Sequence, residues 1–121
     1  MSPLKFLIVD DSLLTVRTLT KHLDDMGHLV IQTAGTGISA LEAYRSCAPD
    51  MVTMDITMPD ADGIEATAAI IKEFPNAKII MVTSHGQEGM VMQAIKKGAK
   101  GYILKPIKPE KLRDVIDRAV K

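Results

Sequence analysis

Leu7-Ile8-Val9-Asp10-Asp11 runs three apolar residues straight into two carboxylates. A strand apolar at consecutive positions is buried on both faces, as in the middle of a parallel sheet. The arrangement recurs as Met51-Val52-Thr53-Met54 before Asp55, Ile79-Ile80-Met81-Val82 before Thr83-Ser84, and Tyr102-Ile103-Leu104 before Lys105-Pro106. Read as strands, the four runs end on three carboxylates, a hydroxyl and an ammonium. Ligands of open α/β sheets bind outside the carboxyl ends of the strands. One acidic site thus assembles from residues dispersed over most of the chain.

Strand and helix signals alternate five times. Strands are expected near 5–9, 29–34, 51–55, 78–83 and 101–104, and helices near 13–26, 38–47, 64–73, 87–97 and 109–120. Ser12 is placed to cap the first helix and Gly27 to stop it, Pro109 suits a first helical turn, and Gly98 closes the fourth helix. The stretch His28-Leu29-Val30-Ile31-Gln32-Thr33 mixes polar and apolar residues, which suits an edge strand. Short connections between alternating units favour a parallel sheet with helices on both faces. The expected fold is α/β, a flavodoxin-like (βα)5 doubly wound sheet in strand order 2-1-3-4-5, forming one domain over residues 1–121. That order makes the first and third strands neighbours and brings Asp10, Asp11 and Asp55 together.

Composition narrows the possible partners. The 121 residues carry fifteen basic and fifteen acidic side chains, so no net field draws the chain to nucleic acid or to an anionic membrane. Hydrophobic residues at 46% and charged residues at 25% are ordinary for a globular domain. The single cysteine, Cys47, cannot close an internal disulfide, and no apolar run approaches the roughly 18 residues of a membrane span. The opening residues do not resemble a signal peptide, so the expected location is cytoplasmic.

Three clustered carboxylates repel: two unit charges ~5 Å apart at an effective dielectric of ~20 cost about 3 kcal/mol. A raised pKa, a neighbouring cation or a bound metal must offset that cost. Lys105 supplies one positive charge. Oxygen-only ligands select a hard divalent ion, and Mg²⁺ is the expected one. A carboxylate beside Mg²⁺, a lysine and a hydroxyl is equipped to accept a phosphoryl group as an aspartyl phosphate.

Val9-Asp10-Asp11-Ser12, Met54-Asp55-Ile56-Thr57-Met58-Pro59 through Gly63, Thr83-Ser84, and Tyr102 with Lys105-Pro106 resemble the receiver domain of bacterial response regulators. The likeness spans essentially the whole chain and is nearest to single-domain chemotaxis regulators of the CheY type. It implies that Asp55 is the phosphoacceptor for a histidine kinase. It implies that Asp11 ligates Mg²⁺ directly, Asp10 through water, and Asp55 and the Thr57 backbone carbonyl beside them. Lys105 would pair with Asp55, held by a cis peptide to Pro106. Thr83 would donate its hydroxyl to the phosphoryl group, and Tyr102 would rotate inward as Thr83 moves. Gly63 would permit a tight turn after the acceptor loop. Side chains at Thr57 and His85 would tune the lifetime of the phosphorylated state.

The resemblance further implies a signalling module rather than an enzyme acting on a separate substrate. Its output face would be helix four, strand five and helix five, with Met92 among the apolar contacts. Expected partners are a histidine kinase and a downstream protein such as a flagellar motor switch component, with the chain monomeric or dimerising on phosphorylation and making no direct contact to nucleic acid. A receiver cut from a larger regulator is the alternative. An aspartyl-phosphate phosphatase fits less well, because Thr57 stands where that class places its general-acid Asp. A flavodoxin-like redox carrier lacks aromatic residues to sandwich a flavin. His22, His28 and Cys47 are expected to be structural.

Overall fold

The computed structural model describes residues 3–56, 63–84 and 86–121. Five strands, β1 (Lys5–Val9), β2 (Leu29–Ala34), β3 (Met51–Asp55), β4 (Ile79–Thr83) and β5 (Gly101–Leu104), alternate with five helices. The helices are α1 (Leu13–Asp25), α2 (Gly37–Cys47), α3 (Gly63–Glu73), α4 (Glu88–Lys96) and α5 (Pro109–Ala119). All pairings are parallel, in the order β2-β1-β3-β4-β5. The fold is therefore the expected flavodoxin-like one, with each element within about a residue of its sequence reading.

Alternate residues of the central strands supply two separate cores. Leu7, Val9, Val52, Met54, Ile79 and Met81 pack with Ala40, Ala43, Ile64, Ile70, Val91 and Ala94 of α2, α3 and α4. Phe6, Ile8, Met51, Ile80, Val82 and Ile103 pack with Leu19, Leu23, Leu112 and Ile116 of α1 and α5. Each of the larger side chains, the alanines aside, contributes about 1.5–3 kcal/mol on full burial, so the sheet is held from both sides. The edges differ from the centre. On β2, Leu29 and Ile31 are exposed, and its register against β1 slips between Phe6 and Leu7. On β5, Tyr102 and Leu104 face solvent while Ile103 is buried.

Local chemistry sets the helix ends. Ser12 caps α1 by accepting from the Thr15 amide, and Gly27 beyond it takes φ +87°, a conformation glycine adopts freely. Thr36 and Ser39 form a reciprocal capping box at the start of α2. That helix stops at Ala48, which adopts a left-handed φ of 44° just before Pro49. Gly98, at φ +117°, ends α4 against the Ile71 side chain.

The expected structural residues are accounted for. His28 is buried against Phe6 and accepts the Leu4 amide on Nδ1 at 3.1 Å. His22 Nε2 meets the Ile107 carbonyl at 3.1 Å. Cys47 is half-buried against the α2–α3–α4 core. Among the described residues, no helix is long and apolar enough to cross a membrane.

Candidate functional site

The strand order delivers Asp10, Asp11 and Asp55 to one place. Asp10 follows β1, its amide bonded to Ala34 at the end of β2, and Asp55 ends the neighbouring β3. One carboxylate oxygen from each of the three acids lies within 4.8 Å of the others. Asp10 and Asp55 are buried and Asp11 is exposed, so the cluster opens to solvent on the Asp11 side.

Burial pushes the Asp10 carboxyl above its usual range; the Ser12 amide and Lys105 oppose that shift, and Asp11 adds to it. Asp10 Oδ1 accepts the Ser12 amide at 2.8 Å, whereas Oδ2 is buried with no hydrogen-bond partner. Lys105 Nζ lies 3.6 Å from that oxygen and 4.0 Å from Asp55 Oδ1. The lysine therefore leans on both acids and sits closer to Asp10 than to the expected partner, Asp55. A Lys105–Pro106 peptide in the cis form carries it, and the Lys105 amide donates to the Thr83 carbonyl at 2.8 Å. One ammonium against three carboxylates leaves a surplus of negative charge. The buried oxygen of Asp10 and the all-oxygen donor set both fit a hard divalent cation such as Mg²⁺.

The turn expected ahead of Gly63 lies outside the described residues, and Gly63 itself makes a close approach to β3. Its amide donates to the Ile56 carbonyl at 2.7 Å, and a Cβ at this position would strike the Asp55 carbonyl. The residue opens α3 and lets the helix press against the backbone at the end of β3. The missing side chain is what permits that approach.

Thr83 is buried at the end of β4. Its hydroxyl donates to Gln87 Oε1 at 2.9 Å, with the Ser84 carbonyl at 3.2 Å as a second acceptor. Gln87 Oε1 also takes the Ser84 amide, at 2.8 Å. Sequence reasoning missed this contact; the available signal was an amide four residues beyond the hydroxyl, across a strand-to-helix loop. Tyr102 is 52% exposed, beside a groove lined by Thr83, Ser84, Val91, Met92 and Leu104. Thr57 and His85 lie outside the described residues.

Comparison with known proteins gives a consistent picture. The family described as response regulator receiver domain matches residues 6–117. The chain is 44% identical over 119 residues to the chemotaxis protein CheY of Listeria monocytogenes, covering 98% of this chain and 99% of that protein. It is 42% identical to the chemotaxis protein CheY of Thermotoga maritima over 97% of this chain and 98% of that one. Among solved structures, the CheX-CheY-BeF3-Mg+2 complex from Borrelia burgdorferi superposes with a TM-score of 0.93 at 37% identity, covering 98% of this chain and 90% of that one.

Proposed function

The chain belongs to the response regulator receiver domain family, and on that premise we propose that it is a phosphorylation-controlled signalling module with Asp55 as its phosphoacceptor. An Asp55 carboxylate oxygen attacks the phosphorus of a histidine kinase's phosphohistidine. A P–O bond forms, the P–N bond breaks, and the imidazole leaves with a proton. The observation that carries this reading is the convergence of Asp10, Asp11, Asp55 and Lys105 at the strand ends.

Asp10, Asp11 and Asp55 would hold Mg²⁺, with the Thr57 carbonyl completing the protein ligands. Bound there, the ion would neutralise charge on the acceptor and on the incoming phosphoryl oxygens. Lys105 contributes its ammonium to the same end, and the buried walls of β1 and β3 fix where the carboxylates stand. Thr83 donates its hydroxyl to the phosphoryl group. Water later hydrolyses the acyl phosphate, at a rate tuned by the side chains at Thr57 and His85. The reaction is self-directed and turns over no separate substrate.

The output is a change in partner binding at the face of α4, β5 and α5. Its support is the apolar exposure of Met92, Tyr102 and Leu104 around one groove. The likeness to chemotaxis proteins over nearly their full length favours a single receiver domain over residues 1–121, working in the cytoplasm in chemotaxis. Incubation with acetyl phosphate and Mg²⁺ should add one phosphoryl mass that hydroxylamine removes. Equal labelling of Asp55→Asn and wild type would refute the assignment.

A further inference from the structure

We propose that Gln87 is a positioning residue that holds the Thr83 hydroxyl away from the phosphoryl site, and so opposes the phosphorylated arrangement. The inference rests on the phosphoacceptor reading above and adds a residue to it. Gln87 is the N-cap position of α4, yet its side chain caps nothing on that helix. Its carboxamide oxygen is turned back to the end of β4, where it accepts from both the Thr83 hydroxyl and the Ser84 amide. The Ser84 amide can only donate, so the atom facing it must be the amide oxygen, and the orientation of the side chain follows from its partners.

A threonine hydroxyl has one proton. It cannot donate fully to Gln87 and to a phosphoryl oxygen at the same time, so the two acceptors compete. Whatever the Thr83–Gln87 bond contributes before phosphorylation is lost from the free energy of reaching the phosphorylated arrangement. The same event weakens the tie between the α4 N-cap residue and the strand end, leaving the Ser84 amide as the donor to the Gln87 oxygen. Gln87 is half-buried, so water can replace the Thr83 hydroxyl on that oxygen at little cost.

Beryllofluoride with excess Mg²⁺, which mimics an aspartyl phosphate, provides the test by amide NMR titration. Wild type, Gln87→Leu, Thr83→Val and the double variant form a cycle, with Asp55→Asn as a control for the site itself. Gln87→Leu should bind beryllofluoride about two- to tenfold more tightly than wild type, the range expected for loss of one competing neutral hydrogen bond. In the Thr83→Val background the same change should have no effect, since no hydroxyl remains to be held. Before any ligand is added, the Ser84 amide of Gln87→Leu should also exchange faster with solvent. If Gln87→Leu disturbs the start of α4, Gln87→Met keeps the length of the side chain and takes its place. Unchanged or weaker binding by both Gln87 variants, or an equal gain in both Thr83 backgrounds, overturns the proposal. Titration of Asp55→Asn like wild type would instead show that the phosphoacceptor reading is at fault.

Discussion

The starts of α2 and α4 both follow a strand of the same sheet, and they are built in opposite ways. At α2, Thr36 and Ser39 satisfy each other: the Ser39 amide donates to Thr36 Oγ1 at 3.0 Å and the Thr36 amide to Ser39 Oγ at 3.1 Å. At α4 the N-cap side chain, Gln87, turns away from its helix and bonds to the end of β4. The first start is closed on itself and indifferent to the acidic cluster. The second takes part of its order from a hydroxyl that the phosphoryl site would claim. A helix can therefore be made responsive by leaving its own amides uncapped and assigning the side chain elsewhere.

The largest effect is expected at the Lys105 ammonium. Lys105→Ala removes the ammonium that faces Asp10 and Asp55, so phosphorylation by acetyl phosphate should slow by about a hundredfold, the scale of losing one preorganised charge-stabilising group. The α4 start should then give no response under conditions that saturate wild type. Radiolabelling, or mass spectrometry over time, measures this, and an unaltered rate would remove Lys105 from the chemistry. A narrower break is Thr83→Ala. Labelling should persist within a few-fold of wild type while the amide shifts of α4 and Tyr102 on beryllofluoride addition collapse. Full α4 shifts in that variant would show that the helix responds by another route.

The α2 start yields the complementary outcome. Thr36→Ala should cost about 1 kcal/mol in urea unfolding, the usual loss for a capping hydroxyl, with phosphorylation unchanged. A change in phosphorylation would mean that α2 is not independent of the site. The smallest effect should come from His28, remote from both starts. Burial lowers its pKa against the opposing pull of Asp117. The folded protein therefore favours neutral His28, whose Nδ1 accepts the Leu4 amide. The contribution is full above the unfolded value of about 6.5 and is lost as pH falls below it toward the lowered folded value. Thermal unfolding between pH 7 and pH 5 should show a slope that His28→Gln reduces, and an identical slope in the variant would assign it to other groups.

The features that were readable in sequence share a cause. Central parallel strands must be apolar on both faces, so β1, β3 and β4 announce themselves as runs, and the polar residues after them fall at the strand ends by necessity. Gly27 and Gly98 mark helix ends because both take positive φ. The features that stayed hidden depend on pairing in space. Ser39 at the third helical position is not the usual acidic or amide partner of a capping box, so Thr36 gave little warning of its role. Ala48 adopts a left-handed conformation that its identity does not advertise. The space that the absent side chain of Gly63 leaves beside Asp55 is likewise a matter of two elements meeting. The position of Lys105 between Asp10 and Asp55 depends on where its backbone meets Thr83, and its residue type carries no trace of that geometry.

The distribution of aromatic rings gives the molecule an optical property. It has no tryptophan and two tyrosines. Tyr44 lies against Phe74, ring centroids 4.7 Å apart and tilted by 40°, while Tyr102 stands half in water on the edge strand. Ultraviolet emission from the intact protein is thus the sum of one sheltered fluorophore and one solvated fluorophore. Only the solvated one borders the groove beside Thr83, so Tyr102 is the phenol placed to report a change there without an attached dye.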